Sequence, residues 1–217
     1  MTQNLTYNET MVLGVIEDYL NENRTLNLEK VVPFIQNHFS RQSINLNKNG
    51  IKIILKSLVE KSIVVQGSKL LRANLLQNEN RKQIFDYIVT NPGSYFHKIV
   101  KKLELSNHVV AWHINILLKF KCIYSKIIED QEVYFASKFS SLDEKVYSLL
   151  SKAKPKQIID YFRELNNEAM TKTFLSKELG IHYNTVTKYC KQLEECNILQ
   201  RKKLSNKTLY FLNQKYF

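Results

Sequence analysis

Three stretches of the chain share one pattern of hydrophobic and polar positions. Each contains three apolar residues at successive spacings of four and three, which places them on one face of an α-helix. The triplets are Ile51-Leu55-Leu58, Val110-Ile114-Leu117 and Val186-Cys190-Leu193. Five residues beyond each triplet's leucine a short run with strand character begins, at Ile63, Cys122 and Ile198. The pattern therefore predicts three units in matching register, each a set of helices followed by a β-hairpin.

The last unit carries the fullest set of signals. Pro155 suits the first turn of a helix, where its missing N–H does no harm. Thr171 is predicted to cap a second helix, Lys172–Leu179. Gly180 can take the left-handed conformation at the end of that helix, and a third helix is predicted over His182–Cys196. A hairpin, or wing, follows, with strands and turn in this order: Ile198–Leu204, Ser205-Asn206-Lys207 and Thr208–Leu212.

The other two units are interpreted in the same way. In the middle unit, Asn91-Pro92-Gly93 is a strong turn signal that ends a helix, and Ser106–Leu118 is predicted as the helix with the apolar triplet. Its wing is predicted over Ile123–Ile128 and Val133–Ala136, around an acidic turn. The first unit is predicted to contain helices Met11–Leu20 and Leu28–Phe39, and a wing with strands Ile63–Val65 and Lys69–Leu76 around Gln66-Gly67-Ser68.

These elements predict a mainly α-helical chain with small β-hairpin wings, of the α+β class. Two helices and a turn are common, but three such units in register, each followed by a hairpin, are typical of winged helix-turn-helix domains. We expect three tandem domains, over residues 1–76, 77–140 and 141–217. Only five glycines occur in 217 residues, which disfavours a phosphate-cradling or doubly wound α/β fold, because those folds use glycine repeatedly.

Two segments carry a resemblance to a known class of proteins. Residues 91–99, which read Asn-Pro-Gly-Ser-Tyr-Phe-His-Lys-Ile, lead to Leu105-Ser106 and to Trp112-His113-Ile114. They resemble the winged-helix units of archaeal regulators related to the ArsR and MarR classes. Residues 179–186 resemble the turn and recognition-helix start of the same classes. The resemblance covers about residues 80–138 and 155–213, and more loosely 7–76, and it implies sequence-specific binding of double-stranded DNA. It implies no metal or effector.

The charge of the chain agrees with a polyanionic partner. The formal net charge is +12, and residues 141–217 carry 14 basic against 8 acidic residues. A basic surface of this size attracts nucleic acid or an acidic membrane. No stretch approaches the roughly 20 apolar residues that span a bilayer, the start lacks the order of a secretory signal, and three cysteines suggest no disulfide framework. We therefore expect a cytoplasmic protein without a membrane partner.

The last unit is predicted to read DNA. In a winged helix the third helix enters the major groove and the wing lies along the backbone. Asparagine can pair with adenine, and lysine and arginine neutralise phosphates. The predicted contacts on the third helix are Tyr183, Asn184, Thr187, Lys188 and Lys191, and those on the wing are Arg201, Lys202, Lys203 and Lys207. The alternative is an ordinary solvated surface, but clustering on both elements favours DNA.

The first unit offers phosphate contacts with less base-reading chemistry. These are Lys48, Asn49, Lys52 and Lys56 on its third helix, with Lys69 and Arg72 on its predicted wing. Here a solvated surface is as good an interpretation as DNA binding.

The middle unit departs from the pattern, because its helix Ser106–Leu118 contains no lysine or arginine. Trp112, Ile116 and Phe120 fall on the side where a regulator usually shows polar groups. The wing turn, residues 129–132, is acidic and would repel phosphate. A helix that is apolar most of the way round is usually buried, so we expect this face to pack against another unit or a second copy of the chain.

No enzymatic motif is evident. His108 and His113 lie about 140° apart on a helix and cannot share a metal as an i, i+4 pair does. CxxC pairs, a Walker loop and paired catalytic carboxylates are missing from the sequence. We expect a regulator without cofactor, metal or small-molecule ligand, bound to double-stranded DNA and able to form a homodimer. The alternative is a protein-interaction scaffold of tandem winged helices, as in ESCRT-II subunits or RNA polymerase accessory subunits.

Overall fold

The computed structural model describes residues 4–139 and 144–216. Within them the chain forms two compact units. Unit 1 consists of the residues up to Asp86 together with Leu103–Tyr124, and unit 2 consists of Tyr87–Lys102 together with the residues from Ser125 onward. The described residues are mainly helical, with small antiparallel sheets.

The predicted helices form, together with one further helix, Glu144–Leu150, that the sequence did not indicate. The helices are α1 (Tyr7–Glu22), α2 (Leu28–Arg41), α3 (Lys48–Glu60), α4 (Glu79–Thr90), α5 (Phe96–Leu103), α6 (Asn107–Lys119), α7 (Glu144–Leu150), α8 (Ala153–Glu164), α9 (Lys172–Leu179) and α10 (Tyr183–Glu195). The strands are β1 (Ser94–Tyr95), β2 (Ile123–Ile128), β3 (Gln131–Ala136), β4 (Leu199–Leu204) and β5 (Lys207–Leu212). Short 3₁₀-helices cover Arg72–Gln77 and Gln214–Tyr216.

The strands form two antiparallel sheets, one of order β1-β3-β2 and the other the pair β4-β5. In the first, Ser94 pairs with Tyr134. In the second, Leu199 pairs with Leu212 and Leu204 with Lys207, which leaves a two-residue turn. These pairings confirm the hairpins that the sequence predicted for the middle and last units.

Unit 1 buries the inner faces of α1, α2 and α3 against one another. The helices begin at asparagine or threonine caps: Thr6 forms a reciprocal capping box with Glu9, and Asn27 and Asn47 accept hydrogen bonds from first-turn amides. Each cap satisfies amides that would otherwise lack partners. The triplet Ile51-Leu55-Leu58 lies fully inside this core, as its spacing predicted.

The wing predicted for unit 1 is wrong. No strand forms over residues 63–71, and the second predicted strand contains the 3₁₀-helix Arg72–Gln77 instead. The predicted turn is tied to the start of α2: Gly67 N–H donates to the Leu26 carbonyl at 2.8 Å, and Leu26 N–H donates to the Ser68 carbonyl at 2.9 Å. Leu71 and Leu75 are buried. Docking onto the helices thus replaces strand pairing.

Unit 2 contains a tight backbone approach at Gly93. Its φ is +77°, and a Cβ built there would lie 2.8 Å from the backbone of Ser148 in α7. Glycine is required on both counts, because other residues rarely adopt this φ and no side-chain atom fits. The Asn-Pro-Gly signal therefore ends α4 as predicted and also permits the close contact with α7, a helix that the sequence did not indicate.

The last helices of unit 2 agree closely with prediction. Thr171 accepts a hydrogen bond from Phe174 N–H and caps α9, and Gly180 ends α9 in the left-handed conformation with φ +61°. α10 packs on α8 and α9 and buries its triplet completely. The division into three domains stays a prediction, and its boundary at 140/141 lies outside the described residues.

None of the helices described in the structure is both long and apolar enough to cross a membrane.

A buried ion pair joins two helices of unit 1. The Glu9 carboxylate of α1 accepts hydrogen bonds from Lys61 Nζ at 2.6 and 2.8 Å, from Ser57 Oγ at 2.6 Å and from Thr6 N–H at 2.8 Å. The Lys61 bond, then those of Ser57 and Thr6, lower the pKa of Glu9 to about 2 although burial opposes the shift. These hydrogen bonds favour the ionised form of Glu9. The carboxylate therefore stabilises the fold only while it is ionised.

We expect Glu9→Gln to lower the free energy of unfolding at pH 7 by about 1–3 kcal/mol, since the variant leaves Lys61 without its anion. The wild-type contribution is complete above the ordinary glutamate pKa and falls as the pH drops toward about 2. Urea unfolding at several pH values measures both effects. Glu22→Gln, which removes an exposed carboxylate from the same helix, is the control. Equal losses for both variants would contradict a role for this network.

Candidate nucleic-acid interface

The rotation of α10 determines which of its residues face outward. Val186, Cys190 and Leu193 are fully buried against α8 and α9, so residues half a turn away are directed to the other side. The helix begins after His182, whose Nδ1 accepts a hydrogen bond from Asn184 N–H at 3.3 Å. The exposed positions that result include Tyr183, Asn184, Lys188 and Lys191.

Thr187 differs from the other predicted contacts on α10. It is half-buried, and its hydroxyl oxygen is shielded from solvent without a hydrogen-bond partner among the described residues. A shielded hydroxyl without a partner is costly, and an incoming acceptor could satisfy it. Thr187 therefore lies at the base of the candidate surface, below the exposed lysines.

The β4-β5 hairpin continues the basic surface beside α10. Its cations are all exposed: Arg201, Lys202, Lys203 and Lys207. Alternation along β4 places Arg201 and Lys203 on one side of the hairpin and Lys202 on the other. The hairpin thus presents positive charge on both sides, and β4 packs on α10.

A cavity of about 450 Å³ lies where α9, α10 and the hairpin meet. It is lined by Lys172, Thr187, Lys191, Glu194, Glu195, Arg201 and Tyr210. Lys172 Nζ lies 5.1 Å from the centre of the Tyr210 ring, a cation–π distance. Lys172 and Tyr210 were not among the predicted contacts. The position of Lys172 directly after the Thr171 cap is the signal that could have indicated it.

Carboxylates already occupy part of this basic surface. The Glu194 carboxylate forms an ion pair with Arg201, at an Nε···O distance of 2.9 Å. The exposed side chains of Lys191 and Glu195 form a longer pair, at 3.9 Å. Exposed pairs of this kind contribute little to stability. A phosphate can therefore compete for these cations at modest cost.

A third carboxylate reaches α10 from the β2-β3 hairpin. Glu129 lies 3.4 Å from Lys188 Nζ, accepts a hydrogen bond from Gln192 Nε2 at 2.8 Å and pairs with Lys152 Nζ at 2.9 Å. Burial acts to raise the pKa of Glu129, but Lys152, Gln192 and Lys188 together lower it. The acidic turn was expected to repel phosphate, and in the structure it contacts the outer face of α10. Gln192, four residues after Lys188, was also not among the predicted contacts.

The position of the β4-β5 hairpin depends on the segment before α9. Met170 pairs with Tyr210 through two backbone hydrogen bonds of 2.8 and 2.9 Å. The Asn167 side chain accepts from Leu212 N–H at 2.6 Å and donates to the Leu212 carbonyl at 3.0 Å, as a neighbouring strand would. Asn167 has φ +60°, a conformation that asparagine tolerates. These bonds hold β5 in place beside α10.

In unit 1, the predicted phosphate contacts on α3 are all exposed: Lys48, Asn49, Lys52 and Lys56. Lys69 is exposed as well. Arg72 is not available in the way expected, because its Nη1 donates to the Phe120 carbonyl at 2.6 Å, at the C-terminal end of α6. A cation at this end of a helix is favourable, so Arg72 serves the fold here.

The apolar side of α6 is only partly open. Trp112 is 55% exposed and Ile116 is half-buried, whereas Phe120 is 1% exposed and belongs to the interior. The predicted exposed stripe therefore ends at Ile116, because Phe120, the residue that caps the C-terminal end of α6, is buried. Trp112, Ile116 and Phe120 border an open cavity of about 1040 Å³ in unit 1, with a mixed polar and apolar lining.

The histidine of α6 next to Trp112 is a core residue. His113 is buried, and its burial, followed by the charge of Arg81, lowers its pKa. In the part of the chain that the structure describes, no group of three or more His, Cys, Asp or Glu side chains is placed to hold a metal ion.

Comparison with known families identifies a helix-turn-helix domain in the middle of the chain. Residues 78–146 match the family HTH_HVO_0163_N, described as an N-terminal HTH domain. The matched range contains α5, α6 and the β2-β3 hairpin. It does not reach α10 or the β4-β5 hairpin. The helix-turn-helix character predicted for the middle unit is thereby confirmed.

A longer protein is similar over most of this chain. It is the uncharacterized HTH-type transcriptional regulator MJ1398 of Methanocaldococcus jannaschii, 26% identical over 170 residues. The aligned region covers 78% of this chain and 42% of the relative. The chain therefore spans less than half the length of the protein that it matches.

We expect Asn167→Ala to lower the free energy of unfolding by about 1–3 kcal/mol, because two backbone groups of Leu212 lose their partners. Exchange of the Leu212 amide proton should become faster than in the wild type. Asn166→Ala is the control: Asn166 is exposed and also has a positive φ, +50°, so it reports only the cost of the backbone conformation. The assignment fails if both variants lose the same stability and the Leu212 amide stays protected.

Proposed function

We propose that the protein is a DNA-binding transcriptional regulator, and that α10 and the β4-β5 hairpin form its sequence-specific contact surface. The helix-turn-helix match over residues 78–146 and the similarity to a protein named as an HTH-type transcriptional regulator support the class. The observation that carries the assignment to α10 is the clustering of exposed cations on this helix and on the adjacent hairpin. Lys191 of α10 and Arg201 of the hairpin border one cavity beside the helix, which Glu194 and Glu195 also line.

The hairpin and the rim of the cavity are suited to the phosphate backbone. Lys172, Lys191 and Arg201 line the same cavity as Thr187, whose hydroxyl is shielded from solvent. Phosphate oxygens accept hydrogen bonds from such groups, and binding releases counterions. Lys202, Lys203 and Lys207 extend the positive charge along the hairpin. These residues would orient the protein on the duplex without reading its sequence.

Base reading is assigned to the outer face of α10. Asn184 and Gln192 carry amides of the kind that can pair with the edge of adenine in the major groove. Tyr183 lies exposed at the start of the helix, and Lys188 stands between the two amides along the face. In a helix-turn-helix the N-terminal residues of the recognition helix approach the bases, so Asn184 is the leading candidate for specificity.

A weaker contribution is proposed for α3. Lys48, Asn49, Lys52 and Lys56 are exposed, but no base-reading group other than Asn49 accompanies them. Lys56 also pairs with Glu60 at 3.9 Å. Contacts of this kind would add affinity that depends on salt and not on sequence.

The first test removes three cations of the proposed surface, in the variant Lys188→Ala/Lys191→Ala/Arg201→Ala. Fluorescence anisotropy with a labelled duplex from the upstream region of the protein's own gene measures affinity across a salt series. We expect weaker binding and a slope of log K against log[salt] that is shallower by about 2–3, because each lost phosphate contact removes about 0.9.

The matched control is Arg24→Ala/Lys30→Ala/Lys82→Ala, which removes three exposed cations from other helices and loops. It changes the net charge equally, so a difference between the two triple variants reports position. If both variants bind alike, the assignment to α10 and the hairpin is wrong. If the wild-type protein binds this duplex no better than a random one, sequence-specific recognition of that site is unsupported.

We further propose that Trp112 anchors a second copy of the chain. Its indole ring is the large exposed aromatic group on a helix that carries few charges, and tryptophans are enriched at the energetic centres of interfaces. A homodimer would place two recognition helices about 34 Å apart on a palindromic site.

Trp112→Ala should shift the protein from dimer to monomer in light scattering after size-exclusion chromatography, and weaken binding to a palindromic duplex more than to a half-site. Tyr7→Ala is the control, because it removes an exposed aromatic ring from α1, outside the proposed DNA surface. A wild-type protein that is monomeric at micromolar concentration would rule out this homodimer and favour the scaffold alternative, with another protein as the occupant of the Trp112 surface.

A further inference from the structure

The tip of the β2-β3 hairpin holds the outer face of α10 in the DNA-free protein. We call this contact the Glu129 clasp: the Glu129 carboxylate together with Lys152, Lys188 and Gln192. Its three distances are 2.9 Å to Lys152, 3.4 Å to Lys188 and 2.8 Å to Gln192. One carboxylate therefore binds the start of α8 and two successive turns of α10.

The hairpin presents this carboxylate from a well-defined tip. Glu129 and Asp130 form a two-residue turn in which both have positive φ, +50° and +61°, as hairpin turns that match the strand twist require. A second ion pair ties the stem of the hairpin to α7, between Lys126 and the buried Glu144. The stem of the hairpin is thus fastened to α7, and the tip reaches α10 from there.

The clasp covers the groups that the proposed DNA surface needs. Lys188 lies on the side of α10 opposite to its buried triplet, and Gln192 lies one turn further along, at the flank of that side. Gln192 is half-buried, and its side-chain oxygen is shielded from solvent without a partner among the described residues. While Glu129 holds the amide nitrogen, this side chain cannot offer both of its groups to a base. The acidic tip also lies where phosphate oxygens would come closest to Lys188, and like charges repel.

We propose that the Glu129 clasp is autoinhibitory: it competes with DNA for Lys188 and Gln192, and full docking of α10 requires the hairpin tip to leave. This inference rests on the proposed DNA-binding role of α10. It also assigns a task to the acidic wing of the middle helix-turn-helix unit, which is unsuited to touch DNA itself. That wing would regulate the basic recognition helix of the last unit.

The ion pair between Glu129 and α10 is weak enough to permit a switch. The side chains of Lys188 and Glu129 are 56% and 34% exposed, and partly exposed ion pairs are individually weak and reduced by salt. A duplex that supplies several phosphates can therefore displace the carboxylate. A signal or partner that moves the β2-β3 hairpin would change DNA affinity through the same contact.

The test compares Glu129→Gln with Asp130→Asn in DNA binding. Both variants remove one negative charge from the same two-residue tip, but only Glu129 contacts α10. We expect Glu129→Gln to bind the upstream duplex about 5–20-fold more tightly than Asp130→Asn, within the range of ordinary coupling between sites. This advantage should shrink as the salt concentration rises, because salt weakens the ion pair that Glu129→Gln removes.

Glu129→Asp provides the second variant, because it keeps the charge and shortens the reach of the carboxylate. It should also bind DNA more tightly than wild type, but less tightly than Glu129→Gln. The reason is that Glu129→Asp loses the contact with α10 and keeps the net charge. If wild type binds DNA and Glu129→Gln and Asp130→Asn bind equally well, the clasp is overturned while the proposed function stands. If none of the four proteins binds DNA, the proposed function itself fails.

Discussion

Burial of one face of α10 is the constraint on which the candidate interface depends. Val186, Cys190 and Leu193 have no contact with solvent, and turning the helix by a quarter would expose them and bury lysines. Burying apolar surface of this size is worth several kcal/mol, and burying an unpaired lysine costs a similar amount. The direction of Asn184, Lys188 and Gln192 is therefore a consequence of the core. The burial of one side of the helix thus determines which side chains the other side exposes.

Electrostatics within unit 2 is a balance and not a uniform excess of positive charge. The chain carries a net charge of +12, yet Glu129 and Glu194 come from two different elements to meet Lys188 and Arg201. Each pair is partly exposed, so it costs little to break and is weakened by salt. A surface neutralised in this way avoids self-repulsion in the free protein and remains able to exchange its carboxylates for phosphates. Net charge alone would have missed this local competition.

The sequence predicted elements correctly where the pattern is local. It failed where backbone or side-chain hydrogen-bonding groups could find partners in more than one part of the chain. The caps at Thr171 and Gly180 and the middle and last hairpins follow from short-range rules. The first wing does not form, because the Gln66-Gly67-Ser68 segment hydrogen-bonds to the start of α2. The hydrophobic pattern of this segment resembled that of the other two hairpins. Its backbone instead hydrogen-bonds to Leu26, which is about 40 residues away in the sequence. Arg72 was misassigned for the same reason, since its acceptor is the carbonyl of Phe120.

By itself, the sequence determined most of the helices, the last two hairpins, the triplets that face the cores and the basic composition of the last third of the chain. These depend on periodicity and on residue type, which are present in any short window. Only the tertiary structure decided that Phe120 lies inside while Trp112 stays exposed, that Lys172 joins the cavity beside Thr187, and that Glu129 reaches α10. Each of these outcomes requires atoms from distant segments to come within a few ångströms. Spacing along one helix holds no information about such distances, because they are fixed by how the elements pack.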